Sequence, residues 1–209
     1  MAIKQKPNPA SPEQHRLVLA SASPRRRLLL KQIGIEPDDI IATEINETAR
    51  PGEKAEHLAL RLAIEKAKAV KAKAGLILAA DTLVVAGKRI LGKAQSAEEA
   101  VMFLTLLSGR RHRVISAIAL SLPDGTIRSK TVTTIVGFKR LSMEEKTAYV
   151  NCGEWQDKAG GYAIQGMAES FIKFIHGSYS NVVGLPLKET SGLLQSAGYP
   201  VLERWSAHS

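Results

Sequence analysis

Cysteine is nearly absent from this chain of 209 residues, since Cys152 is the only one. A single cysteine cannot form a disulfide within the chain, and it lacks the paired spacing of a zinc site. The five histidines also show no spacing that is typical of metal ligands. These absences exclude a disulfide scaffold and a zinc centre, and they favour a reducing compartment, the cytoplasm.

Aromatic residues and long apolar runs are also scarce. Phe, Trp and Tyr make up only 5% of the chain, which argues against a surface that stacks nucleic-acid bases on aromatic rings. No apolar run reaches the roughly 18 to 20 residues of a membrane span, and the longest runs have the length of strands. The sequence therefore predicts a soluble protein without a membrane segment.

Positive charge outweighs negative charge along the chain. Lys and Arg number 29 against 20 Asp and Glu, which gives a formal net charge of +9. This excess favours an anionic ligand, either an acidic substrate or nucleic acid.

The order of the remaining signals predicts a mixed α/β fold. Residues 1–15 are polar and lack the apolar stretch of a signal peptide, so we predict a flexible tail there and one domain over 16–209. The strand "LVLAS" runs into a helix that ends at a glycine, and a second helix is predicted over about 54–73. The segments "HRVISAIALSL" and "IRSKTVTTIVGFK" predict a β-hairpin with an Asp-Gly turn, and a last helix is predicted over about 188–196.

The stretch "SASPRRR" places cations where a helix favours acids. Ser23 is predicted as the N-cap, with a proline at the first helical position. Arginine in the first turn is unfavourable by roughly 0.3 to 1 kcal/mol unless an anion binds at the positive helix end. Two interpretations follow, a phosphate site that uses Ser21, Ser23, Arg25 and Arg26, or a solvated basic helix end.

An acid interrupts the apolar run "LILAADTLVVAG". We expect the strand to break at Asp81 and Thr82, so that Asp81 lies at a strand end. A buried carboxylate is costly unless it is paired or binds a cation, which suggests a metal ligand or a general base. The alternative is an acid that caps a turn together with Thr82.

Two lysines also allow two interpretations. At 100° per residue, Lys66 falls on the apolar face of its helix beside Leu58 and Leu62. Its ammonium group either reaches solvent at the rim of that face or points into an anion site. Lys93, in the loop "GKRILGK", lies either in a solvated turn or in the same site.

Three further acids are candidate partners of Asp81. Glu44, Glu47 and Asp157 could join it around a divalent cation, although their spacing alone does not show this.

Seven segments in order along the chain resemble the Maf family, also called septum formation inhibitor Maf, whose members are nucleoside triphosphate pyrophosphatases. They are "LASASPRR", "RLAIEKA", "AADTLVV", "LGKA", "LSGRRHRVISAIAL", "DKAGGYAIQG" and "GSYSNVVGLPL". The resemblance covers about 17–198, and its C-terminal half is similar to the dTTP/UTP pyrophosphatase branch. Gly161 and Ala163 exchange small residues with the usual pattern, and Ala94 replaces a common proline beside Lys93, but neither change removes a functional group.

The resemblance implies an activity and a fold. The activity is hydrolysis of pyrimidine nucleoside triphosphates, such as dTTP, UTP and modified pyrimidine nucleotides, to the monophosphate and pyrophosphate with Mg²⁺ or Mn²⁺. The fold is an elongated two-lobed α/β fold on a long twisted mixed sheet flanked by helices, similar to the inosine triphosphatases, with a central cleft. A homodimer is also implied.

The resemblance further implies the roles of individual residues. It assigns catalysis to Asp81, Glu47 and Lys66, with Asp81 and Glu47 also as metal ligands. It assigns substrate binding to Ser21, Ser23, Arg25, Arg26, Lys93, Thr82 and Gln165, of which Thr82 and Gln165 face the base.

The alternative function is a non-enzymatic nucleic-acid-binding or cell-division regulatory protein. Only the net charge of +9 supports it, because no basic stripe interleaves with aromatic residues along the chain. We therefore expect a nucleotide, and not a nucleic acid, as the partner of this protein.

Overall fold

The computed structural model describes residues 16–71 and 75–206. The tail predicted over 1–15 lies outside the described residues. In chain order the strands are β1 (Leu17–Ala20), β2 (Asp39–Ile40), β3 (Leu76–Ala86), β4 (Arg89–Leu91), β5 (Arg111–Ser121), β6 (Ile127–Phe138) and β7 (Ile172–His176). The helices are α1 (Pro24–Gln32), α2 (Ala55–Ala69), α3 (Ala97–Leu107), α4 (Met143–Asn151), α5 (Tyr179–Val183), α6 (Leu187–Ser196) and α7 (Val201–Ser206), with a short 3₁₀ helix at Met167–Phe171.

The seven strands form one mixed sheet in the order β2-β1-β3-β5-β6-β7, with β4 beside the second half of β3. β1 runs parallel to β2 and β3, while the long strands β3, β5 and β6 pair antiparallel. The prediction of a mixed sheet flanked by helices is thus confirmed. The predicted hairpin is β5 and β6, whose last pair joins Ser121 to Ile127.

Helices cover both faces of the sheet. One face packs against α1 and α6 through leucine and isoleucine side chains, and the opposite face packs against α2. The stripe on α2 is made of alanines at every fourth position, which face alanines of β3 and β5. These small side chains let the helix approach the sheet closely. A third cluster, built on α3, α4 and the far ends of β3 and β6, forms the other end of the molecule.

Two sequence predictions of element bounds are wrong. β3 is unbroken from Leu76 to Ala86, and Asp81 lies in its middle, paired with Ala117 of β5. The main-chain ladder continues through the acid because Lys66 compensates its charge. The second helix ends at Ala69, before 73, because Val70 turns to an extended conformation and buries its side chain in the core.

Several short elements were not predicted. The strands β2 and β7 and the helices α5 and α7 are six residues long or shorter. Segments of that length carry little periodicity, so tertiary packing decides their structure. The predicted last helix corresponds to α6, and the chain continues beyond it into α7.

A buried histidine in β5 makes stability depend on pH. His112 Nε2 lies 2.7 Å from Tyr162 Oη, and its ring packs edge-on against Phe138. Burial lowers the pKa of His112 from 6.5 to about 4. In the unfolded chain His112 therefore binds a proton below about pH 6.5, whereas in the folded protein it does so only below about pH 4. Stability is complete above pH 6.5, and roughly 3 kcal/mol of it is lost as the pH falls towards 4.

Replacing His112 by glutamine tests this dependence. Glutamine offers a hydrogen bond to Tyr162 without titrating, so urea unfolding of His112→Gln should vary less between pH 4 and 6.5 than that of the wild type. The exposed His57→Gln is the control and should keep the wild-type profile. An unchanged profile in His112→Gln would contradict the assignment.

No helix among the described residues is long and apolar enough to cross a membrane.

Candidate active site

A cleft of about 750 Å³ opens between the end of β1, the middle of β3 and the segment that follows α4. Residues far apart in the sequence meet there because β1 and β3 are parallel neighbours. The segment "SASPRRR" leaves the sheet where β1 ends, beside Asp81, which is still inside β3. All ten residues to which the family resemblance assigns a role line this cleft: Ser21, Ser23, Arg25, Arg26, Glu47, Lys66, Asp81, Thr82, Lys93 and Gln165. Their individual roles stay predictions, but they share one cavity.

The start of α1 forms one wall of the cleft. Ser23 has the extended backbone of an N-cap, with Pro24 following, yet its hydroxyl makes no capping hydrogen bond to α1. The Ser23 hydroxyl is therefore not used by the helix, while the Arg26 N–H donates to the Ser23 carbonyl at 3.2 Å. Arg27 departs from this arrangement, since it pairs with Glu36 at 3.6 Å on the surface. Of the three arginines, two belong to the cleft.

Arg26 is fixed by neutral acceptors. Its Nη1 donates to Ser21 Oγ at 2.8 Å, and its Nε donates to the carbonyl of Gly184 at 3.0 Å. Burial lowers the pKa of Arg26, and the charges of Asp81 and Glu47 oppose that shift. Among the described residues no carboxylate lies within ion-pair distance of the guanidinium. Its positive charge is thus held in place and left for a ligand.

Lys66 joins the two acids of the site. Its Nζ lies 2.6 Å from Asp81 Oδ1 and 2.7 Å from Glu47 Oε1. The side chains of Lys66 and Asp81 are only 11% and 8% exposed, whereas Glu47 is largely open to solvent. Lys66 therefore does not reach the rim of its helix face, and Asp81 does not cap a turn. For both residues the structure therefore shows a buried, charged cluster in the cleft.

The donor set of this cluster suits a hard divalent cation. The Asp81 and Glu47 carboxylates both contact Lys66 Nζ and therefore lie close to each other. Mg²⁺ is commonly held by one or two carboxylates together with substrate phosphates. The described residues contain no group of three or more His, Cys, Asp or Glu that could enclose a metal alone. The pair Asp81 and Glu47 thus fits a cation that a phosphate helps to bind. Glu44, considered with them, does not line the cleft.

The opposite wall carries a second group of charges around Asp157. Arg25 Nη2 donates to the Asp157 carbonyl at 3.3 Å, and Lys93 Nζ lies 3.7 Å from Asp157 Oδ1. Asp157 has a φ of 57°, and no other non-glycine residue in the described part of the chain has a positive φ. Such strained backbone is concentrated at functional sites. Burial lowers the pKa of the neighbouring Lys158, and the charge of Arg25 adds to the effect.

Sequence reasoning missed part of this wall. Asp157 was considered only as a metal ligand, yet the structure places it among cations. Lys158 was not considered, although both belong to the "DKAGG" segment of the family resemblance. The replacement of proline by Ala94 leaves Lys93 anchored, because Lys93 forms a backbone bridge with Ala159.

Thr82 is supported from behind by groups that carry no sequence signature. Its Oγ1 lies 2.9 Å from Ser116 Oγ, which donates to the carbonyl of Asn181 at 3.1 Å. The amide of Asn181 in turn donates to the carbonyl of Val114 and to Thr134 Oγ1. This chain of hydrogen bonds fixes α5 to β5 and β6. Gln165, in contrast, is exposed at the opening of the cleft.

Comparison with known proteins places this cleft in context. Residues 16–197 match the family model described as Maf-like protein. The chain is 52% identical over 200 residues to the dTTP/UTP pyrophosphatase of Brucella abortus (strain 2308), covering 92% of this chain and 96% of that protein. It is 53% identical over 203 residues to the dTTP/UTP pyrophosphatase of Novosphingobium aromaticivorans, covering 96% and 100%. A solved HAM1 protein from Coxiella burnetii aligns over 87% of this chain and 98% of its own, with 17% identity and a TM-score of 0.46.

Proposed function

We propose, on the premise that this chain belongs to the Maf-like protein family, that it hydrolyses dTTP and UTP to the monophosphate and pyrophosphate. The observation that carries the proposal is one cleft in which the cluster of Lys66, Asp81 and Glu47 faces Arg25 and Arg26. In the part of the chain that the structure describes, neither arginine has a carboxylate within ion-pair distance. A nucleoside triphosphate carries three to four negative charges and supplies the anion that this wall lacks.

The basic wall binds the triphosphate. Arg25 and Arg26 can each bind a phosphate through two N–H groups, and the hydroxyl of Ser23, which makes no capping hydrogen bond, adds a donor. Lys93 approaches from the other side of the cleft. Binding also relieves the repulsion between the cations and the positive helix end. The arginines of "SASPRRR" are therefore compatible with a helix start because the substrate neutralises them.

The reaction transfers a water oxygen to the α-phosphorus. The bond from that phosphorus to the oxygen bridging to the β-phosphate breaks, pyrophosphate leaves, and the water proton is accepted by a base. Asp81 is the base we assign, since it is buried in the cleft and held at one oxygen by Lys66. Lys66 orients the carboxylate and provides positive charge beside the reacting phosphate. A divalent cation bound by Asp81 and Glu47 would neutralise charge on the phosphate oxygens.

We assign the base of the nucleotide to the part of the cleft between Thr82, inside β3, and Gln165, at the opening. Thr82 is immobilised by Ser116, so its hydroxyl has a fixed direction. The amide of Gln165 offers both a donor and an acceptor, as the edge of a pyrimidine does. These two side chains are the ones we assign to base selection.

Pyrophosphate release from a panel of nucleoside triphosphates tests the proposal. With Mg²⁺ or Mn²⁺ we expect dTTP and UTP to release pyrophosphate faster than CTP, dATP and dGTP. EDTA should stop the reaction, because it removes the cation that would neutralise negative charge between the two carboxylates and the phosphates. Release of inorganic phosphate instead would indicate cleavage of another bond, and no release from any triphosphate would contradict the proposed activity.

Two further assignments accompany this function. We place the enzyme in the cytoplasm, where nucleoside triphosphates are made and where a lone cysteine stays reduced. We also propose a homodimer, as implied by the family resemblance. Sedimentation of the purified protein checks the second assignment, and a monomer at micromolar concentration would contradict it.

A further inference from the structure

A second cavity of about 760 Å³, the basic groove, lies outside the catalytic cleft. It is lined by Gly109–Arg111, Gly137–Arg140, Lys173 and Phe174. The basic groove and the cleft share no lining residue. The aromatic rings of Phe138 and Tyr162, whose centroids are 5.0 Å apart, stand between them. The basic groove therefore needs a function of its own.

The basic groove is strongly cationic. Five of its nine lining residues are lysine or arginine, and all five are exposed. Lys139 pairs with Glu145 at 2.8 Å. Within the described part of the chain, the other four have no carboxylate at ion-pair distance. Four positive charges in one groove thus lack compensation by the protein, which favours an anionic ligand.

The sheet places an aromatic ring beside these cations. Arg111, Gly137 and Phe174 are directly paired across β5, β6 and β7, so their side-chain positions lie on one face of the sheet. Gly137 has no side chain, and the ring of Phe174 covers it so closely that a Cβ atom there would overlap the ring. Phe174 is nevertheless 44% exposed. One side of the ring is fixed on the sheet, and the rest faces solvent next to Arg111.

Arg140 also packs over a glycine. A Cβ atom on Gly109 would lie 2.9 Å from Arg140 Cγ, so the aliphatic stem of the arginine packs over this glycine. Its guanidinium remains exposed at the groove. Two glycines thus make room for one ring and one cation on the same surface. Because these two side chains are already held in place, less of their conformational entropy is lost when a ligand binds.

We propose that the basic groove binds single-stranded nucleic acid, with phosphates at Arg110, Arg111, Arg140 and Lys173 and a base stacked on Phe174. Cations that follow a backbone, together with an exposed ring, are the groups by which proteins bind single strands. The groove is open and its cations are all exposed, which suits a strand better than an enclosed mononucleotide. The sequence argued against nucleic acid because its aromatic residues do not interleave with cations, but the sheet joins them across 64 positions, from Arg110 to Phe174.

Fluorescence anisotropy with a labelled 20-nucleotide oligothymidylate tests this proposal. The catalytic cleft is kept filled with α,β-imido-dTTP and Mg²⁺, because the imido link of this analogue replaces the bond that the proposed reaction breaks. We expect Arg111→Ala/Arg140→Ala to weaken binding at least tenfold at 50 mM salt. The slope of log Kd against log salt should fall by about 1.4, since each lost phosphate contact on a single strand contributes about 0.7. Phe174→Ala should weaken binding about fivefold or more without changing the slope.

A matched control separates the groove from net charge. Lys68→Ala/Lys71→Ala removes the same charge from exposed positions of another surface and should change binding less than twofold. Equal losses in both double variants, or displacement of the strand by the dTTP analogue, would overturn the proposal. Tighter binding of a duplex, or no binding at 50 mM salt, would overturn it as well. If the arginine variant fails to fold, as shown by loss of pyrophosphate release, Lys173→Ala replaces it with an expected slope change of about 0.7. The result stands apart from the proposed activity, because binding is measured without turnover.

Discussion

Replacing Asp81 by asparagine should lower kcat by about 10³-fold while nucleotide binding remains measurable. The amide keeps the size of the carboxylate and can still accept the hydrogen bond of Lys66, but it cannot accept a proton from water. Lys66 also keeps its ion pair with Glu47 at 2.7 Å, so the buried ammonium is not left alone. The loss is therefore expected in the chemical step and not in folding.

Two measurements separate these effects. Pyrophosphate release from dTTP gives kcat, and calorimetry with α,β-imido-dTTP gives Kd, which should change less than about tenfold. Asp157→Asn is the matched control, since it makes the same substitution in the same cleft at a carboxylate that faces Lys93. We expect it to act mainly on KM. An Asp81→Asn enzyme with kcat near that of the wild type would remove Asp81 from the role of base.

The elements with local signals were predicted from the sequence. The proline after Ser23 starts α1, and the Asp-Gly turn joins β5 to β6. The strand break predicted at Asp81 is wrong because a charge inside an apolar run resembles the end of a strand. Its partner Lys66 lies 15 residues earlier on a different element. The helical pattern marks Lys66 as unusual, but no local pattern reveals that it pairs with Asp81.

The site shows the same division. The residue types that can bind phosphate and metal were visible in the sequence, and the family resemblance implied roles for them that stay predictions. The hydrogen bonds that hold these residues in place were not visible in the sequence. Ser116 has no sequence feature that indicates its contacts with Thr82 and Asn181. The basic groove was equally hidden, since β5, β6 and β7 bring together cations that the chain keeps apart. Features that depend on contacts between residues far apart in the sequence therefore could not be predicted from the sequence.

Replacing Lys66 by methionine should damage both stability and catalysis. Methionine keeps the length of the side chain but leaves the buried Asp81 carboxylate facing an apolar group. Breaking a buried ion pair at one partner costs about 3 to 5 kcal/mol, and the exposure of Glu47 to water places the expected loss at the lower end. In the folded protein KM should rise and kcat should fall together, because the ammonium contacts charge that develops in the transition state. Urea unfolding and dTTP kinetics measure the two effects.

A double variant distinguishes a catalytic lysine from a structural one. In Lys66→Met/Asp81→Asn neither buried charge remains, so much of the lost stability should return, whereas activity should stay as low as in Asp81→Asn. Stability that recovers only with the second substitution identifies the unpaired carboxylate as the cause of the first loss. If Lys66→Met lowers stability and leaves kcat/KM of the folded enzyme unchanged, Lys66 only balances the charge of Asp81. A fall in kcat/KM at a temperature where the variant is fully folded instead means that Lys66 contributes to catalysis, as the proposed contact between its ammonium group and the substrate phosphate requires.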